Sequence, residues 1–158
     1  MKTKHGLALL TALLIAPFAV AARAFAPQGT DALNVQGFYD GPFTRSAEVA
    51  IDEHLLVAFG TAPATQVKLN TAATRPIGSA ADQAAINTPI GVIPILSGPK
   101  ILIASKAIAA GVRVYGTAGG KVTDAVVAGA YLVGEALNAA AGDGSEFLVL
   151  PLSPVVNP

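Results

Sequence analysis

Asp52-Glu53-His54 is the one place in the chain where carboxylates and an imidazole cluster, a combination that can bind a divalent metal or move protons. The apolar residues around it alternate, Val49 and Ile51 before and Leu55, Val57 and Phe59 after, which is the period-2 signature of a strand. On a strand Asp52 and His54 point to one face and Glu53 to the other, so the triplet reads as a solvated strand edge with a local bulge. His5 is the only other histidine, and it lies in the N-terminal head, which leaves no partner for a two-histidine metal site.

Tyr115–Val122, YGTAGGKV, invites a phosphate-loop reading because glycine-rich backbone amides cradle phosphates. The spacing fails. A Walker loop needs Gly where Tyr115 stands and Ser or Thr where Val122 stands, so the segment reads as a hairpin turn. Asp143-Gly144-Ser145-Glu146 lacks the alternating acids that precede the glycine of a calcium loop, and it too reads as a turn. No serine sits in a G-x-S-x-G elbow, and cysteine is absent. The sequence therefore supplies no nucleophile, no cofactor fingerprint and no metal-ligand set, and the expectation is a protein that is not an enzyme, with no small-molecule substrate and no cofactor.

At 158 residues there is room for one domain with extensions. Apolar residues make up 53% and charged residues 13% of the chain, with no Trp, so the core must be built from Ala, Val, Leu and Ile. Small side chains bury little area each, and such a core predicts that burial is completed by self-association. Residues 24–158 carry seven basic and ten acidic side chains. No basic patch is available for a phosphate backbone, which argues against nucleic acid as a partner.

The elements that must hold these groups are short strands. Val67 and Leu69 follow a loop containing Pro63, Ile101 and Ile103 alternate after Lys100, and Val112–Tyr115, Lys121–Thr123, Tyr131–Gly134 and Glu146–Leu150 follow with turns between them. Residues 76–96 and 132–152 repeat one pattern without a gap: an apolar strand ending at Gly78 or Gly134, a small-residue helical turn, a polar turn and a second strand, with Val92-Ile93 set against Leu148-Val149. Gly78 and Gly134 are expected at matching positions that exclude a side chain. The fold expectation is mainly β, a small barrel or sandwich of about seven to nine short strands with one or two short helices, one of them at Glu135–Ala141.

The N-terminus adds two segments. Met1–His5 is basic, Gly6–Ala22 is apolar but for Thr11, and Ala22-Arg23-Ala24 offers a cleavage site, the three parts of a secretory signal. The 17-residue run is shorter than the roughly 20 residues of a spanning helix; an uncleaved hydrophobic arm is the third reading. Residues 25–46, rich in Gly and Pro, read as an extended arm. Its apolar side chains Phe25, Leu33, Val35, Phe38, Tyr39 and Phe43 are the candidate partner-binding residues, because leaving them in water is costly. The domain division is thus 1–24, 25–46 and a β-rich 47–158.

QGFYDGPFTRSAEVAIDEHLLVAFG, RPIGSAADQAA, SKAIAAGVRVYGTAGGKV and LVGEALNAAAGDGSEFLVLPL, in that order over about residues 36–152, resemble the small capsid cement or decoration proteins of tailed bacteriophages. That resemblance implies a β-rich domain assembled as a homotrimer on the outside of the head shell, an arm reaching onto the major capsid protein, and no catalytic residue. The signal-like leader departs from it and favours the alternative, an exported β-rich surface or matrix protein cut near Ala24.

Overall fold

The computed structural model describes residues 41–158. Ten strands follow one another: β1 (Phe43–Ala47), β2 (Leu56–Phe59), β3 (Gln66–Leu69), β4 (Gly78–Ala80), β5 (Pro89–Pro94), β6 (Lys100–Ile103), β7 (Arg113–Gly116), β8 (Val122–Thr123), β9 (Leu132–Ala136) and β10 (Glu146–Pro151). Among the described residues the only helical element is a 3-10 turn at Ala118–Gly120. The mainly β expectation therefore holds, with ten strands, while Glu135–Ala141 divides between β9 and a turn.

The first five strands close into a barrel in the order β1-β3-β2-β4-β5, with β5 returning to β1. Only β1 and β3 run parallel; every other pairing is antiparallel. The last five form a sheet ordered β6-β10-β9-β7-β8, and one parallel bridge, Ala104 to Val122, returns β8 to β6. Followed round from that bridge, the order is β6-β8-β7-β9-β10, which is the order of the first barrel. One five-strand unit is used twice.

The registers repeat as well as the order. Phe43, Thr44, Arg45 and Ser46 face Val92, Gly91, Ile90 and Pro89, just as Lys100, Ile101, Leu102 and Ile103 face Val149, Leu148, Phe147 and Glu146. The bridge Ile51–Ala84 recurs as Ile108–Ala140, and the parallel pair Ala47–Val67 as Ala104–Val122. Two side-chain braces match too: Asp82 Oδ1 accepts from the Gly91 amide at 2.9 Å, and Asn138 Oδ1 from the Leu148 amide at 2.6 Å. The duplication thus spans residues 43–95 and 100–152, more than the sequence pattern discloses. Its spacing is not constant. The second copy has a shorter β7–β8 hairpin and one extra residue before β10, so Val92 corresponds to Val149 and not to Leu148.

Gly78 and Gly134 occupy matching positions. A Cβ on Gly78 would run into the Ile93 carbonyl oxygen with Val92 Cγ1 2.7 Å away, and one on Gly134 into the Leu150 carbonyl oxygen with Val149 Cγ1 at 2.7 Å. Close approach of the partner strand, not backbone strain, keeps both positions glycine.

Each barrel has its own apolar core. The first contains Ala47, Ile51, Val57, Val67, Ala80, Ile90 and Val92; the second contains Leu102, Val114, Val122, Val133, Phe147 and Val149. Residues are exchanged at the junction: Leu56 and Ile95 belong to the second core, while Ile103 packs against the first. Gly120 lies in this junction at φ +73°, where a Cβ would come 2.7 Å from the Leu56 carbonyl oxygen.

Candidate interaction surface

Asp52-Glu53-His54 does not continue a strand. Glu53 and His54 form a turn ahead of β2, with His54 at φ 66° and its Nε2 3.5 Å from Glu53 Oε1. The expected strand-edge alternation fails here because the chain must turn before β2, and a backbone hydrogen bond from His54 to the Ala80 carbonyl fixes that turn. Gln83 Nε2 donates to Asp52 at 2.9 Å. Among the described residues no group of three or more His, Cys, Asp or Glu side chains is placed to hold a metal.

Asp52 and Glu53, but not His54, border an open cleft of about 460 Å³, lined also by Leu55, Ile103, Lys121 and Glu146. Lys121 is engaged by Asp143 at 2.6 Å, so the lining is predominantly acidic. Its chemistry is that of charge and hydrogen bonding, without a thiol, a hydroxyl beside a base, or a phosphate cradle. YGTAGGKV forms the β7–β8 hairpin around the 3-10 turn, and Asp143-Gly144 forms a turn with Gly144 at φ 78°, both as read from the sequence. Glu48 is a structural carboxylate: the Thr61 amide and hydroxyl donate to it at 2.5 and 2.9 Å, and these bonds hold its carboxyl below the usual range.

Lys100 is the buried charge of the molecule's described part. It begins β6, is 5% exposed, and donates from Nζ to the Pro94 carbonyl at 2.7 Å and to Ser97 Oγ at 3.3 Å. Desolvation pushes its ammonium down to about 8. It ties the turn joining the two barrels.

The candidate partner residues Phe25, Leu33, Val35, Phe38 and Tyr39 lie outside the described residues. Phe43 lies on β1, half-buried against the first core, with the Arg45 guanidinium 5.1 Å from its ring centroid. β1 therefore takes the last four residues of the segment read as an arm.

A second apolar surface escaped the sequence reading. On β10, Phe147 and Val149 point inward while Leu148 and Leu150 point to solvent. Ile101 faces Leu148 across the β6–β10 ladder, and the Leu137 amide bonds to the Leu148 carbonyl, so Ile101, Leu148 and Leu137 form one exposed row. Leu150, Glu135 and Arg113 form the next row across β10, β9 and β7. The available signal was in EFLVLP itself, where both parities of the strand are apolar.

No family model and no curated protein matches the chain. Among solved structures it resembles the head fibre gp8.5 N base of bacteriophage phi29, with a TM-score of 0.60 and 16% sequence identity over 75% of this chain and 98% of that one. At that identity the likeness is one of fold, and it covers nearly the whole of the phage protein's base.

Proposed function

We propose that this chain is a structural protein of a bacteriophage virion, seated on the outside of the capsid and stabilising it. The observation that carries the reading is the fold shared with a head-fibre base over 98% of that chain. Three further features support it. The clustered polar groups are engaged in turns and ion pairs, the charge is balanced over the whole chain, and apolar side chains are left on one outer face.

In this reading the chain is not an enzyme, it assembles as a homotrimer, and its partner is the major capsid protein. Phe25, Leu33, Val35, Phe38 and Tyr39, with Phe43 at the entry to β1, supply the apolar contact. An extended segment of that composition can add to a neighbour's sheet edge, satisfying its backbone while alternate side chains fill pockets.

Purified shells lacking the protein test this directly. Full-length chain should bind to saturation, and a fragment of residues 41–158 should fold yet bind at least about tenfold more weakly, since apolar anchors dominate such contacts. Equal binding by the fragment would move the contact onto the β-domain; no binding by either would overturn the reading.

A further inference from the structure

The duplication provides an internal control for the exposed face of the second barrel. In the first barrel the position of Ile101 is held by Thr44, that of Leu148 by Gly91 and that of Leu137 by Ala81, and the same ladder forms. The barrel therefore does not need large apolar side chains there. The large apolar residues left exposed number three within 43–95 and seven within 101–152.

The next row tells what such a face is for. Its first-barrel counterparts are Leu56 and Ser79, both buried, and Ile93, half-buried, and the neighbouring Ile95 is buried with Leu56 in the core of the second barrel. One copy of the unit thus uses this face to dock a barrel of its own kind. In the other copy Arg113, Glu135, Leu150 and Leu152 hold the matching positions and remain exposed.

We propose that the outer face of β6, β10, β9 and the start of β7, comprising Ile101, Leu137, Leu148 and Leu150 with Arg113 and Glu135, is where one copy of this chain binds another. The occupant follows from charge as well as from the duplicated docking. The face carries Arg113 and Glu135 on neighbouring strands beside an apolar row, with Glu146 at the start of β10 on the same side, so Arg113 of one copy can meet Glu135 of the next while the leucines are covered. A patch complementary to itself is what a two-fold contact between identical chains requires. This inference does not rest on the virion reading, and it would stand if that reading failed.

Sedimentation of the full-length chain over a concentration series tests it. The wild-type chain should associate. The triple variant Ile101→Thr/Leu137→Ala/Leu148→Ser gives this face small side chains like those of the first barrel. It should keep its circular dichroism and raise the dissociation constant at least about tenfold, as loss of a central apolar cluster does. Should that variant misfold, Glu135→Arg alone should weaken association and Arg113→Glu/Glu135→Arg should restore it, while Phe59→Ser on the first barrel leaves it unchanged. A wild-type monomer at high micromolar concentration, or wild-type association by both the apolar variant and Glu135→Arg, would overturn the proposal.

Discussion

Lys100 shows how a single side chain records its surroundings. Its ammonium is buried against a carbonyl and a hydroxyl with no carboxylate, so the folded state favours the neutral amine. Below about pH 8 the folded chain bears the cost of the charged form; between about 8 and the ordinary 10.5 the unfolded chain holds a proton that the folded one has shed. Stability should therefore rise with pH across that window, by at most about 1.4 kcal/mol per unit for one proton. Lys100→Met should abolish that rise, as measured by urea unfolding at several pH values, and an unchanged slope would refute the assignment. His54 and Asn87 offer a second residue-scale test. They hold φ of 66° and 61° where the other copy of the unit has Gly111 and Gly144 at 79° and 78°. His54→Gly should stabilise the domain by up to about 1 kcal/mol because the left-handed backbone disfavours a Cβ. Asn87→Gly should do less, since Asn tolerates that region.

At the scale of elements, the junction between barrels explains both what was legible and what was not. β6, β9 and β10 could be located as apolar runs between turns, but not oriented: the alternation of Ile101 and Ile103 pointed β6 the wrong way, since Lys100 and Leu102 are buried and Ile101 is 40% exposed. β2 misled: Leu55, Val57 and Phe59 set its expected inner face, yet Leu56 and Ala58 are buried and Phe59 is 50% exposed. The strand lies between its own barrel and the second one, a two-sided burial that no local period discloses. The repeat was visible only around Gly78 and Gly134 because a shortened hairpin and an extra turn residue shift the spacing on either side. Alanine-rich segments before the polar turns read as helical, but Ala84 and Ala140 are held in bridges to Ile51 and Ile108, so tertiary pairing overrides helix propensity. Gly119 and Gly120 separate local strain from packing at this junction. Both have φ of 73°, but a Cβ on Gly119 meets nothing within 4 Å, whereas one on Gly120 meets Leu56 O at 2.7 Å and Leu55 Cβ at 3.0 Å. Gly119→Ala should cost about 1 kcal/mol from backbone strain alone. Gly120→Ala should cost roughly 1–3 kcal/mol more from forced repacking, read by thermal unfolding; equal costs would mean that the junction yields freely.

For the whole molecule, the candidate site was only partly legible. Self-association is an expectation from composition alone, whereas the exposed leucine face required knowing which parity of β10 points outward. Phe43 illustrates the reverse case: a residue grouped with the arm is the first of β1, so a truncation that is to spare the barrel must stop before it. Removing residues 1–46 should unfold the first barrel by deleting most of the strand that closes it, whereas removing 1–40 should leave both barrels intact by circular dichroism. The proposed virion role is tested most directly by cryo-electron microscopy of phage particles purified from cells that express the chain. Density for a pair of five-strand barrels is expected on the outer surface of the capsid, joined to the shell by an ordered N-terminal segment. Particles without such density, together with recovery of the protein from the culture medium beginning at Phe25, would contradict it.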